Sequence, residues 1–348
     1  MPHSSPPQAV GFCGRIINGI ISQMAFHSKT RVGVIRGGPS REHDISIKTG
    51  ANVLRSLPDN YHPVDIFIDR AGVWYVQGVA QPLVKVLQKV DVIFNASHGE
   101  YGEDGKLQRL LDTFGVPYTG SGHLASLFAT HKGHAKNFLN GHGIKSPYHK
   151  LLKKDDAIVK NLHDLWRTIP NPSIIKPIAL GSSIGVSLVQ NFSDLILALN
   201  NAFAVSPAVL IEEYIKGREA ACGVIDSFRG EETYALLPVE FVLPDDSTFF
   251  DYEAKYGGKT KTIHPGRFSE MEKHQIQNIA RAVHKQLGLR HYSRSDFIIS
   301  SGRGIYFLEV DSLPDLASNS PYIEALNAVG LSFSGFLDHV IKLAIQGH

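Results

Sequence analysis

The chain has 348 residues, 43% of them hydrophobic and 20% charged, which are globular values at a length suited to two or three domains. A net charge of +2 supplies no electrostatic pull toward nucleic acid or a membrane surface. Two cysteines, Cys13 and Cys222, exclude a disulfide framework; no Cys-x-x-Cys is present and the seventeen histidines lack His-x-x-x-His spacing, which fits a reducing, cytoplasmic setting.

Residues 1–28 show little periodicity, and their apolar piece, 16–26, is too short and interrupted to span a bilayer. It lacks a small-residue cleavage site, although Arg15 ahead of it keeps a secretory signal as an alternative. The expectation is a disordered leader, or a start placed too early with Met24 as the natural one. From Arg31 the chain becomes regular. RVGVI reads as a buried strand ending in Gly37-Gly38-Pro39-Ser40, IKTGANVLRSL as a helix, HPVDIFID and DVIFNAS as strands, and KLQRLLDTFG as a helix after HGEYGEDG. Strand, Gly-rich loop and helix in alternation predict a parallel α/β layer with its working loops at the strand C-ends. The first loop lacks a third dinucleotide-binding glycine and a Walker Lys-Ser/Thr, but carries Glu42, His43 and Asp44.

After VPYTGSGHLAS a helix containing His131, Lys132 and Lys136 is expected, then a strand holding Lys176, the loop Gly181–Gly185 and another strand. Such a loop can fold over phosphates with its backbone N–H groups while the strand lysine neutralises them, or can be a plain hairpin turn. AVLIEE, a Lys216-Gly217 turn and a strand opening with Glu219 follow. FFDYEAKYGGKT has the composition of a mobile lid, residues 268–289 form an amphipathic helix from Ser269 toward Gly288, and one closing helix runs from YIEALNAVG to LDHVIKLAI.

Between these helices lies a hairpin, DFIIS, Ser-Gly-Arg-Gly and IYFLEVD. A turn centred between Gly302 and Arg303 sets Asp296 opposite Glu309 and Arg294 opposite Asp311, so that Asp296, Glu309 and Asp311 share one face. Facing acids repel and need a cation between them. A hard divalent ion such as Mg²⁺ takes such oxygen ligands beside substrate phosphates, whereas aligned acids also occur on solvated strand ends. Apolar neighbours on both faces favour a buried sheet, and with it the metal.

Seven motifs in order carry a resemblance to the D-alanine–D-alanine ligase family of the ATP-grasp superfamily, over residues 30–345. They are GGPSREHDISIKTG (37–50), HGEYGEDG (98–105), PYTGSG (117–122), IIKPIALGSSIGVS (174–187), VLIEEYIKGRE (209–219), DYEAKY (251–256) and SRSDF with FLEVDSLP. The resemblance implies an α/β ATP-grasp protein of three subdomains: a substrate domain at 29–122, a central lid at 123–211 and a C-terminal domain with the metal site at 212–348. It implies an ADP-forming ligase of peptidoglycan synthesis that joins two D-alanines through an acylphosphate, commonly as a homodimer. By position, Lys132 and Lys176 would contact the phosphates under the Ser182–Ser183 loop. Glu212, Glu213, Tyr214 and Ile215 would meet adenine, and Glu219 the ribose. Asp296, Glu309 and Asp311 would hold a pair of Mg²⁺ or Mn²⁺ ions. Glu42 would hold the first amine, linked through Ser182 to Tyr256; Arg294 would stabilise the oxyanion, and Ser320 would hold the second carboxylate. His98 and Lys255 also match active-site positions.

The chain departs from the family pattern at four places. Asp311 stands for the usual Asn, Asp315-Leu316-Ala317 for Gly-Met-Thr, Leu180 for a loop acid, and His131 for the Asp before the first lysine. Asp315 would lie beside the reacting centre, where it could repel an acylphosphate or select another second substrate. The readings open at this point are a D-alanine dipeptide ligase, an ATP-grasp ligase with a different second amino or hydroxy acid, and a non-catalytic nucleotide-binding paralogue.

Overall fold

The computed structural model describes residues 29–156, 161–178, 185–242 and 261–347. Its first sheet contains β1 (Thr30–Gly37), β2 (Tyr61–Ile68), β3 (Trp74–Val76), β4 (Val79–Ala80) and β5 (Val92–Asn95), in the order β4-β3-β2-β1-β5. β1 runs parallel to both neighbours, β2 and β5. Its apolar run is buried on both faces because each face is covered. Val32 and Val34 pack with the C-terminal helix Phe333–Gln346, and Ile35 packs in a separate core with Leu107 and Leu111 of helix Lys106–Thr113. Helix His43–Ser56 begins upstream of the expected IKTGANVLRSL, directly at Glu42. Asp44 in its first turn complements the positive end of the helix dipole, a start signal that apolar periodicity does not carry.

The second sheet joins β6 (His149–Lys153), β7 (Ser173–Pro177), β8 (Ser187–Val189) and β9 (Ala208–Glu213) in the antiparallel order β6-β9-β7-β8. Helices Leu162–Thr168 and Phe192–Phe203 cover it. The third contains β10 (Arg218–Phe228), β11 (Glu231–Ala235), β12 (Val239–Val242), β13 (Lys261–Ile263), β14 (Tyr292–Ser300) and β15 (Gly304–Asp311). β9 and β10 lie in different sheets, so Tyr214–Gly217 is a crossover from the second sheet to the third. Gly217 is required there: a Cβ would lie 2.5 Å from the Ile299 carbonyl oxygen.

Helix Glu270–Gln286 follows its expected course, capped by Ser269 and Glu272 in a reciprocal box. Two expected helices are each divided. His131 is not helical; it separates His123–Thr130 from Lys132–Gly141, and its side chain accepts from the His134 N–H as the cap of the second. The closing helix is two helices, Pro321–Ala328 and Phe333–Gln346, bent by 98°. Gly330, at φ 74°, ends the first, and the Ser332 hydroxyl caps the second at Gly335 N–H. No single helix among the described residues is long and apolar enough to cross a membrane. The bent pair has that composition, but Phe336, Leu337, Val340 and Ile341 spend it on the core.

The second of these helices ties the first sheet to the third, since it packs on the first sheet and, through Phe336, on Tyr292 and Tyr322 at 5.3 and 5.7 Å between ring centroids. Phe336 is fully buried. Phe336→Ala should therefore cost about 3–5 kcal/mol, read as a lower denaturant midpoint at unchanged slope.

Candidate functional site

The acidic hairpin has the expected pairs, for an unexpected reason. Ser300 pairs with Gly304, which centres the turn on Gly302, while Asp296 pairs with Glu309 and Arg294 with Asp311. A bulge at Leu308 reconciles the two, because Phe297 pairs with Phe307 and the extra residue lies on β15. The displaced turn and the bulge cancel, and the acids face one another as expected.

Cations of the protein itself stand among these acids. Arg294 donates from Nε to Asp296 Oδ1 at 2.8 Å and from Nη2 to Asp296 Oδ2 at 3.0 Å and Asp311 Oδ2 at 2.6 Å. Lys132 Nζ lies 3.2 Å from Glu309 Oε2. Burial disfavours both charges, but Asp296 and Asp311 outweigh it for Arg294, and Glu309 and Asp311 for Lys132, so both are held above their ordinary pKa. Among the described residues no three ligating side chains converge as a preformed metal cage. Three carboxylates against two cations nevertheless leave an anionic, all-oxygen surface. This fits Mg²⁺ or Mn²⁺, which bind through one or two carboxylates plus substrate phosphates rather than in a closed protein cage.

One cavity opens between the second and third sheets and ends on this face. Lys132, Lys176, Glu212, Glu213, Tyr214, Ile215, Glu219, Asp296 and Glu309, drawn from the proposed nucleotide and metal residues, line it with apolar Ile174, Phe241, Ile298 and Leu308. The crossover explains the convergence, because it carries residues 212–219 past the mouth of the third sheet. Glu212 is nearly buried and spans two ammonium groups, Lys136 Nζ at 2.5 Å and Lys176 Nζ at 2.8 Å. Burial pushes the carboxyl up, but these lysines together hold it below its usual range; burial in turn pulls Lys136 down to about 7.

A second cluster adjoins the cavity. Glu42 occupies the N-cap position of helix His43–Ser56 and its carboxylate lies against Gly99, where a Cβ would sit 2.8 Å from Oε2. His98 donates its backbone N–H to Ser46 Oγ at 2.8 Å; its ring meets Glu103 Oε1 at Nδ1 and Thr49 Oγ1 at Nε2, both at 3.0 Å. Asp315 Oδ1 accepts from Thr49 Oγ1 at 2.9 Å and from Ala317 N–H at 2.8 Å. The aspartate is thus anchored to helix His43–Ser56. Ser320 is buried at the N-terminus of helix Pro321–Ala328, where its hydroxyl accepts from Ile323 N–H at 3.4 Å. Ser182, Ser183, Lys255 and Tyr256, with Leu180 and the expected lid, lie outside the described residues.

Thr49, Glu103 and Lys136 were given no role from sequence. A signal for two of them exists: Glu42, Ser46 and Thr49 fall on one helical face, and Lys136 follows Lys132 by one turn. His131, the departure before Lys132, acts as a helix cap. Burial and neighbouring His134 keep its imidazole pKa low, which suits an acceptor nitrogen.

Thr49 has one hydroxyl proton and donates it to Asp315, so His98 Nε2 is a donor, while Nδ1 faces the Glu103 carboxyl. Burial raises the facing Glu103 carboxyl to about 7; for the His98 imidazole the balance lies the other way. Burial alone would lower its pKa, but Glu103, Asp315 and Glu42 raise it to about 9. Because the folded value lies above the ordinary 6.5, the stability this charge contributes is complete below 6.5 and is lost as the pH rises through about 9. A ¹⁵N titration of His98 should show no transition near 6.5 and one near 9, lowered in Glu103→Gln; a transition at or below 6.5 would contradict the raised value.

Comparisons with known proteins place most of the chain beside one family. The family described as D-ala D-ala ligase C-terminus matches residues 138–342, and its N-terminal counterpart matches 31–86 and 80–121. A D-alanine–D-alanine ligase of Fervidobacterium nodosum is 35% identical over 325 residues, covering 90% of this chain and 99% of its own. One from Pelotomaculum thermopropionicum is 33% identical over 322 residues, covering 91% and 97%. Among solved structures, the VanG D-Ala:D-Ser ligase from Enterococcus faecalis has a TM-score of 0.80 at 29% identity, with 91% of this chain and 100% of that one covered. The D-alanyl-alanine synthetase A of Vibrio cholerae has a TM-score of 0.79 at 25% identity, with 91% and 99% covered.

Proposed function

We propose, on the premise that the chain belongs to the D-alanine–D-alanine ligase family and has its ATP-grasp fold, that it joins two D-alanines at the expense of ATP. The observation that carries this reading is the single cavity in which Lys132, Lys176, Glu212, Glu219, Asp296 and Glu309 meet. Apolar walls beside two lysines suit a purine nucleotide whose phosphates point toward the acidic hairpin. The division into 29–122, 123–211 and 212–348 belongs to the proposal, and the distribution of strands among three sheets supports it. A cytoplasmic location, with ATP and free D-alanine at hand, belongs to it as well.

In the first step a carboxylate oxygen of one D-alanine attacks the γ-phosphorus; the bond from phosphorus to the β–γ bridging oxygen breaks and ADP leaves. In the second, the amine of the other D-alanine, having released a proton, attacks the acylphosphate carbon. A C–N bond forms, the C–O bond breaks and phosphate departs with the electron pair. Lys132 and Lys176 neutralise phosphate charge, which is most of what phosphoryl transfer asks of a protein. Asp296, Glu309 and Asp311 would hold Mg²⁺ or Mn²⁺, whose chemistry there is further charge neutralisation. Arg294 is aimed along the same face and serves the oxyanion. Glu42 holds the first amine, near the buried ring of His98. Ser320 holds the second carboxylate at a helix N-terminus, where orphan backbone N–H groups favour an anion. Ser182, Ser183, Lys255 and Tyr256 complete the family set.

A second reading, a ligase with a different second amino acid, is favoured by Asp315. Its carboxylate is fixed in the loop leading to Ser320 by Thr49 and Ala317 N–H. Release of ADP should be measured with Mg²⁺-ATP and D-alanine alone, then with D-alanine plus other small D-amino acids, products being identified by mass. D-alanyl-D-alanine from D-alanine alone is expected. Turnover only in a mixture would transfer the assignment to the second reading, and no turnover with any pair would overturn both.

A further inference from the structure

We propose that Lys136 is a positioning residue for the phosphate chain of the nucleotide, acting through Glu212 on Lys176; this rests on the ATP reading above. Lys136 is completely buried and does not line the cavity, so it acts on a ligand there only through a neighbour. That neighbour is Glu212, whose Oε1 lies 2.5 Å from Lys136 Nζ while its Oε2 lies 2.8 Å from Lys176 Nζ. Glu212 and Lys176 both line the cavity, so one carboxylate connects a hidden lysine to an accessible one.

The arrangement solves a problem of competition. An anionic ligand and Glu212 both attract Lys176. Were Lys176 the only counter-ion, each movement toward a phosphate would strand a buried carboxylate, which is strongly unfavourable. Lys136 keeps Glu212 neutralised from behind, and Lys176 is left with charge to share. The fold alone does not call for such a lysine: an apolar side chain of similar volume, paired with a neutral residue at 212, is ordinarily as stable as a buried ion pair. Lys136 is fully buried, and taking an ammonium out of water to that position carries a cost.

The test compares ATP with adenosine, which lacks phosphates, by calorimetric titration of the full chain. In Lys136→Met the affinity for ATP should fall at least tenfold while that for adenosine stays within twofold, because Lys176 is drawn back onto Glu212. Unchanged ATP affinity, or parallel loss of both ligands, would overturn the proposal; the parallel loss would make Lys136 a packing residue. Where Lys136→Met does not fold, Lys136→Met/Glu212→Gln replaces it. With no carboxylate to retain Lys176, its ATP-to-adenosine ratio should equal or exceed that of the wild type, and a tenfold lower ratio would overturn the assignment. Absence of ATP binding by the unaltered protein would refute the nucleotide reading itself, an outcome distinct from the others.

Discussion

The site depends on one constraint: several carboxylates are held close together in partly dry surroundings, and each must be neutralised. Arg294 spans Asp296 and Asp311, Lys132 meets Glu309, and Glu212 is shared by Lys136 and Lys176. Burying such pairs is at best neutral for stability, because desolvation offsets the Coulombic gain. Their concentration around one cavity is therefore better explained by the ligand than by the fold. A polyphosphate brings negative charge toward the lysines, and divalent ions would bring positive charge toward the acids. Both exchanges replace internal partners with those of the substrate.

The fold makes this possible by bringing remote segments to one place. The crossover at Tyr214–Gly217 links the second sheet to the third, and helix Lys132–Gly141 packs in the core of the third sheet through Ala135 and Leu139, which sets Lys132 beside β15. The first sheet is tied in by the C-terminal helix beneath Val32 and Val34, and by the Thr49–Asp315 bond that spans 266 residues of sequence. Glu42, Lys176 and the acid hairpin thus belong to three different layers. Their relative placement is a property of the core and not of any one motif.

Much of this was legible in the sequence. Strand β1 and the course of helix Glu270–Gln286 follow from burial and helical periodicity, and the pairing of Asp296 with Glu309 was expected as well. The pairing was reached through two errors that cancel, since neither the three-residue turn nor the bulge at Leu308 has a local sequence signature strong enough to read. The division of the closing helix at Gly330 was missed because its apolar spacing continues across the break. Lys136 was invisible as a functional residue for another reason: its meaning lies in burial behind Glu212, 76 positions away, and long-range pairing leaves no periodicity. For Asp315 the charge was legible but not its anchoring, since Thr49 Oγ1, from a remote helix, and Ala317 N–H both donate to its carboxylate.

The central claim is that a D-alanine carboxylate oxygen passes to phosphate. The most direct measurement uses D-alanine labelled with ¹⁸O in its carboxylate, with the released phosphate analysed by mass. Transfer of one labelled oxygen into phosphate for each dipeptide formed is the predicted result. Dipeptide formed with unlabelled phosphate would contradict the account, because no acylphosphate could then have carried the acyl group.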